Sequence, residues 1–139
     1  MSDEAKGRVL GVGGVFFRSS NPARLAEWYQ QTLALACEAW GSTYGASFSP
    51  EAMPPNAFTV WSAFSASTEY FGDARQSFMI NLVVDDLDAA LVNVAAAGGQ
   101  VLPDREEHDF GRFGWFMDPD GNRVELWEPP EELPVNDDE

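Results

Sequence analysis

Phe113-Gly114-Trp115-Phe116-Met117-Asp118-Pro119-Asp120-Gly121-Asn122-Arg123-Val124-Glu125-Leu126-Trp127 reads as two strands joined by one tight turn. Pro119 presets the backbone of the second turn position, Asp118 can accept from turn N–H groups, and Gly121 supplies the left-handed residue of a bulge. Such a turn fixes register. It places Met117 opposite Arg123, Phe116 opposite Val124, Trp115 opposite Glu125, and Phe113 opposite Trp127. Phe116, Val124 and Leu126 then form an apolar face suited to a helix, and Phe113, Trp115, Met117, Arg123, Glu125 and Trp127 take the other. A carboxylate set among rings loses water, which favours its neutral form unless a donor such as Arg18 or Arg123 compensates. Glu125 therefore either pairs with an arginine to satisfy its surroundings or contacts a ligand and moves a proton.

Upstream of this hairpin, Ile80, Leu82 and Val84 alternate with Met79, Asn81 and Val83 in a strand. Asp85-Asp86 caps a helix whose Leu87, Ala90, Leu91, Val94 and Ala95 share one face, and Gly98-Gly99 ends it. A short strand over 100–102, a polar loop, and strands over 112–118 and 123–128 complete this half. The same order is legible earlier. Residues 9–18 read as a strand, Asn21-Pro22 opens a helix, and Leu25, Trp28, Tyr29, Thr32 and Leu33 form its buried stripe. Beyond that helix, glycines at 41 and 45 and Met53-Pro54-Pro55-Asn56 divide the chain into strands over 36–41, 43–49 and 57–64. Ser65–Ser77 reads as a polar linker. Superposing Asn21 on Asp86 (86 − 21, an offset of 65) places Gly14 on Met79, a repeat visible in pattern rather than in letters.

The expected architecture is thus an α+β domain over residues 1–130. It consists of two βαβββ modules, about 9–65 and 78–128, forming paired curved mixed sheets around a shared cavity. A disordered acidic tail is expected over 131–139. Each half has one helix, which covers only one face of its sheet, so the uncovered faces would enclose a ligand. The expected lining is Phe16, Arg18, Phe48, Trp61, Met79, Asn81, Phe113, Trp115 and Trp127, with Glu125 among them. Five tryptophans and ten phenylalanines in 139 residues exceed what one core needs, in keeping with an aromatic pocket.

The net charge of −15 argues against nucleic-acid binding, which needs cations to neutralise phosphates, and suits a cationic small molecule. No apolar run reaches the length of a membrane span, and the acidic start Met1-Ser2-Asp3-Glu4 is unlike a secretory leader, so a cytoplasmic protein is expected. The lone Cys37 lies among apolar residues and reads as a buried, inert thiol. Gly11-Val12-Gly13-Gly14 sits within a strand pattern and opens no helix, so it is a poor phosphate loop. No nucleophile motif and no cysteine pair for zinc is present.

Three stretches carry a family resemblance: Gly14–Arg18 leading to Trp28-Tyr29, Asn81–Ala90, and Phe116–Leu126. Across roughly residues 9–128 the chain resembles the vicinal-oxygen-chelate family of glyoxalase I, extradiol dioxygenases, fosfomycin-resistance enzymes and bleomycin-binding proteins. The resemblance implies the paired βαβββ fold and a homodimer. It also implies that metal-dependent members take ligands from the first and last strands of each half. Here the first-strand positions are Gly14 and Met79, unsuited to a hard divalent ion. Asn56–Ala66 contains no His, Cys, Asp or Glu, and only Glu125 matches. One carboxylate falls short of the about three protein ligands that a catalytic metal needs, so no cofactor is expected.

The leading functional expectation is a glyoxalase/bleomycin-resistance-like protein that binds a small aromatic or cationic molecule without a catalytic metal. The alternative is a lyase, isomerase or dioxygenase-like enzyme. It would be metal-free with Glu125 as acid or base, or would hold a metal through a non-standard set. His108, the only histidine, lies in Glu106–Phe110 and is the candidate partner of Glu125; otherwise it is a solvated loop residue. A third reading is an interaction protein whose pocket is filled by its own side chains.

Overall fold

Two helices with side-chain caps organise the chain. In the computed structural model, residues 7, 8, 10, 12–72 and 75–131 are described. Helix α1 (Pro22–Leu33) starts where Asn21 Oδ1 accepts from Arg24 N at 3.2 Å, with Pro22 at the first helical position. Helix α2 (Leu87–Ala96) starts where Asp86 Oδ1 accepts from Ala89 N at 3.0 Å and ends on left-handed Gly98. Both starts are where the sequence places them. Leu25, Tyr29 and Thr32 are buried on α1, and Leu87, Ala90, Leu91 and Val94 on α2; Ala95, expected on the buried face, is exposed.

The second half forms a complete four-stranded mixed sheet of β3 (Ile80–Val83), β4 (Gln100–His108), β5 (Gly111–Met117) and β6 (Arg123–Glu128), in the order β3-β6-β5-β4. Strand β3 runs parallel to β6, and α2 carries the chain from β3 to the far edge at β4. The β5–β6 register is the one the turn demands, with Met117 on Arg123, Phe116 on Val124, Trp115 on Glu125 and Phe113 on Trp127. Strand β4 is far longer than the segment over 100–102 read from sequence, and it absorbs the expected polar loop. Its pairing with β5 shifts register between Val101 and Arg105, across Pro103, which has no N–H to give the ladder.

The first half is less regular. Strands β1 (Glu38–Trp40) and β2 (Thr43–Gly45) form a short antiparallel hairpin, and a 3-10 turn occupies Pro50–Ala52. The strands expected over 9–18 and 57–64 join no ladder in their described residues, and the one over 43–49 is cut to three residues. Gly13-Gly14 weakens the first of these, and the described residues of neither segment pair with the open edges of β3 and β4. The fold is α+β with mixed sheets, and its described four-stranded sheet is that of the second half. Val9, Gly11 and Asp73 lie outside the described residues, as does the acidic tail from residue 132 onward.

The core sits between the two helices and one face of the large sheet. Phe116, Val124 and Leu126 meet Leu87, Ala90, Leu91 and Val94 of α2 and Leu25 and Tyr29 of α1. The Trp28 indole adds a donor to the carbonyl of Ala97 at 3.1 Å, tying α1 to the end of α2. Asp118, 6% exposed, holds the turn. Its Oδ1 accepts from Asp120 N at 3.0 Å and Asn122 N at 2.9 Å, and its Oδ2 accepts from Asn122 Nδ2 at 3.1 Å and the Tyr29 hydroxyl at 2.8 Å. The same residue that sets the hairpin register thus anchors α1. Asp118→Ala strips four donors of their acceptor, and we expect it to destabilise the fold by about 2–4 kcal/mol. Tyr29→Phe removes one donor and should cost about 1–2 kcal/mol. Urea unfolding midpoints check both, and equal losses would contradict the central place of Asp118.

Candidate functional site

The second face of the sheet carries the chemistry. Glu125 projects from β6 between Trp115 of β5 and Asn81 of β3, its register partners on either side. It is 7% exposed. Asn81 Nδ2 donates to Glu125 Oε1 at 2.6 Å, and the Tyr70 hydroxyl donates to Oε2 at 2.5 Å. Both donors are neutral. The arginine compensation expected from the sequence is not what the fold provides: Arg18 is exposed, and Arg123 lies over the Trp115 ring at 5.7 Å without pairing with the carboxylate. The reason is geometric. Residues 123 and 125 share a face but point to successive rows of it, and Tyr70 takes the position closest to Oε2.

Tyr70 comes from the segment read as a plain polar linker. That segment is fastened to the hairpin: Gln76 Nε2 donates to Arg123 O at 2.9 Å, and Gln76 Oε1 accepts from Arg123 N at 2.8 Å. Its rings cover the Glu125 face. Phe64 stacks on Tyr70 at 5.4 Å, Phe71 meets Phe64 at 5.1 Å, and Tyr70 stands edge-on to Trp115 at 5.9 Å. Three aromatics at 64, 70 and 71 in and beside an otherwise polar stretch were the available signal, since rings in such a segment need a surface to cover. Trp115 Nε1 and Arg123 Nε are buried and have no acceptor among the described residues.

A second group of rings extends along the same face. Phe113 and Trp127 stack at 6.1 Å, Phe58 packs on Trp127 at 5.0 Å, and the Trp127 indole donates to Phe110 O at 2.8 Å. His108 ends β4 rather than lying in a loop. Its ring stacks on Phe110 at 4.9 Å and meets Phe113 edge-on, with Nε2 at 3.0 Å from Glu106 Oε1. It shares the aromatic face but makes no hydrogen bond to Glu125, so the expected acid/base pair is not assembled.

The expected lining thus divides by half. Asn81, Phe113, Trp115 and Trp127 gather around Glu125, with Met79 half-buried just before β3. Phe16, Arg18, Phe48 and Trp61 from the first half are exposed, whereas Glu125 is buried. Phe48 instead borders an open hollow of about 310 Å³ with Met53, Pro54 and the end of β3. Phe16, Arg18 and Trp61 lie in segments that join no ladder in their described residues, so no sheet aims their side chains inward, and Phe48 lies beyond the short β2. Cys37 is half-buried rather than fully buried, and burial pushes its thiol pKa up.

The donor set does not fit a resident metal. The oxygens of Glu125 already accept from an amide and a phenol, and no three of His, Cys, Asp and Glu converge among the described residues.

Burial first, then the carboxylate each one meets, pushes the hydroxyls of Tyr29 and Tyr70 above the ordinary phenol range. Their stabilising effect is whole below the unfolded-chain value of about 10 and is lost above it, where the unfolded chain releases protons that the folded chain keeps. An ultraviolet titration should find these two of the three tyrosines un-ionised through about pH 10–11, ionising only with alkaline unfolding. Ionisation of Tyr70 at about pH 10 in the folded protein would contradict its bond to Glu125.

Comparison with known proteins agrees with the fold. The family model described as "Glyoxalase-like domain" matches residues 14–127. No curated protein sequence matches the chain significantly. A protein of unknown function from Agrobacterium tumefaciens str. C58 is similar in structure, with a TM-score of 0.56 and 19% identity over 90% of this chain and 98% of that one. TnmS3, an antibiotic binding protein from Streptomyces sp. CB03234, is similar with a TM-score of 0.53 and 21% identity over 88% of this chain and 98% of that one. With the family match running from the first-half segment at Gly14 through the whole hairpin at Trp127, the chain belongs to the glyoxalase-like domain family of the vicinal-oxygen-chelate superfamily.

Proposed function

We propose that this protein binds a small aromatic or cationic molecule against the face built from Trp115, Phe113, Trp127 and Glu125, without a catalytic metal. One observation carries the reading. A 7% exposed carboxylate is supported by two neutral donors and ringed by aromatic side chains. The two hydrogen bonds given to that carboxylate come from neutral donors, so a cationic ligand would find both a negative partner and ring faces, each cation–π contact contributing about 0.5–2 kcal/mol. The overall charge of −15 favours the approach of such a molecule. That the same fold serves an antibiotic binding protein supports the reading.

The self-filled alternative, an interaction protein, draws on the covering by Phe64, Tyr70 and Phe71. The buried Trp115 Nε1 and Arg123 Nε speak against it, because a face evolved only to be covered would supply acceptors for them. The enzymatic alternative draws on the short Tyr70–Glu125 hydrogen bond, a pair able to pass a proton.

Titration with planar cationic compounds should quench tryptophan fluorescence saturably, and Glu125→Gln should weaken the best binder on the order of tenfold, as expected for loss of one desolvated charge contact. Absence of quenching by every compound would overturn the proposal. Elemental analysis of protein purified without chelator should find no stoichiometric divalent metal, and finding one would move the reading to a metalloenzyme.

The first half bears on assembly. Phe16 is 92% exposed and Trp61 82%, with Val12, Val15, Phe17, Val60 and Phe64 also exposed nearby in sequence. Monomers rarely leave so much apolar surface to water, and we infer that two chains pair through these segments. Sedimentation should find a dimer, and Phe16→Asp with Trp61→Asp should shift it to monomer. A wild-type monomer at micromolar concentration would exclude this pairing.

A further inference from the structure

The ring of Tyr70 occupies a slot with the properties of a ligand subsite. One face lies on Phe64 at 5.4 Å with the planes 15° apart, and Trp115 bounds the slot at 5.9 Å with the planes 88° apart. At the inner end the phenolic hydroxyl meets Glu125 Oε2 at 2.5 Å. The backbone that delivers the ring is a chain of turns, Thr68 N to Ser65 O and Gly72 N to Glu69 O, and the segment 65–72 belongs to no sheet. Segments held this way open at little cost compared with a sheet strand. Tyr70 satisfies the acceptor in the slot, while two donors on the side chains beside it stay unpaired. Trp115, 1% exposed, buries Nε1 with no acceptor among the described residues, and Arg123, whose guanidinium lies over the Trp115 ring, buries Nε in the same condition. A buried donor without an acceptor is costly, and the single oxygen of Tyr70, engaged with Glu125, accepts from neither group.

We propose that Tyr70 is a displaceable place-holder, and that the slot takes a hydroxylated aryl ring bearing a carbonyl or similar acceptor. The ring replaces that of Tyr70 between Phe64 and Trp115. Its hydroxyl donates to Glu125, and its acceptor oxygen receives the Trp115 and Arg123 N–H groups. This rests on the binding reading above and narrows it to a ligand class with a donor and an acceptor on one planar frame. The Tyr70 hydroxyl and the ligand hydroxyl compete for the same carboxylate oxygen, so the protein's own segment sets the threshold for binding.

The test uses the full chain and a neutral pair of probes, 4-hydroxyacetophenone and its O-methyl ether, followed by calorimetry. Tyr70→Ala should bind the hydroxy ketone on the order of tenfold tighter than wild type, because no place-holder has to leave. In Tyr70→Ala the ether should bind about tenfold weaker than the hydroxy ketone, and adding Glu125→Met should erase that difference. Tyr70→Phe keeps the ring and drops the hydroxyl, so it should gain less than Tyr70→Ala; it also serves if Tyr70→Ala fails to fold by circular dichroism, any gain over wild type then counting for the proposal and none against it. Equal affinity of wild type and Tyr70→Ala, or equal binding of ketone and ether by Tyr70→Ala, overturns the place-holder. If both chains ignore the ketone while planar cations still quench the tryptophans, the place-holder fails and the binding reading stands. If neither probe class binds any chain, both fail.

Discussion

The buried carboxylate of Asp118 is the constraint on which the rest of the structure hangs. It gathers two turn amides, the Asn122 side chain and the Tyr29 hydroxyl, closing the β5–β6 turn and fixing α1 in one step. A slip of one residue at that turn would exchange the two faces of both strands. Phe116, Val124 and Leu126 would then leave the helices, and Glu125 would enter the apolar core unpaired. The energetic penalty for either error is several kcal/mol, which is why a single turn can decide both the core and the site.

Around Glu125 the protein uses dipoles where a salt bridge was the simpler expectation. Asn81 and Tyr70 satisfy the carboxylate with neutral donors, while Arg123 spends its charge over the Trp115 ring. The carboxylate is thus held by neutral donors, with the Arg123 guanidinium over the neighbouring Trp115 ring rather than hydrogen-bonded to it. It also ties the state of the site to the segment carrying Tyr70, which Gln76 and Gly72 hold against Arg123: a side chain at Gly72, already at φ 83°, would come within 3.2 Å of Arg123 Cδ.

The two halves differ in how far a single chain completes them. The second half builds its sheet from its own four strands, and its inner face is sealed by both helices. The first half contributes α1 to that shared core, yet leaves Phe16, Phe48 and Trp61 at the surface. The segments expected as strands over 9–18 and 57–64 join no ladder in their described residues, so their apolar side chains find no sheet to pack beneath. The helix caps, the hairpin and the match over residues 14–127 place the chain in its superfamily despite this asymmetry.

Much was legible in the residues themselves because it is local. Asn21 and Asp86 as caps, the Asp118–Asn122 turn, the register across it and the aromatic surroundings of Glu125 each follow from chemistry within a few positions of sequence. The lengthened β4, which carries His108 out of its expected loop, depended on β5 offering a ladder that sequence periodicity could not anticipate across Pro103. Tyr70 was beyond reach for the same reason. It meets Glu125 across 55 positions of chain, and nothing in a polar linker says which distant carboxylate its hydroxyl will find. Local backbone preferences set the elements and their faces. Only the packed chain could decide which donors meet the buried charge, because hydrogen-bond partners far apart in sequence are chosen by the space left when the helices close on the sheet.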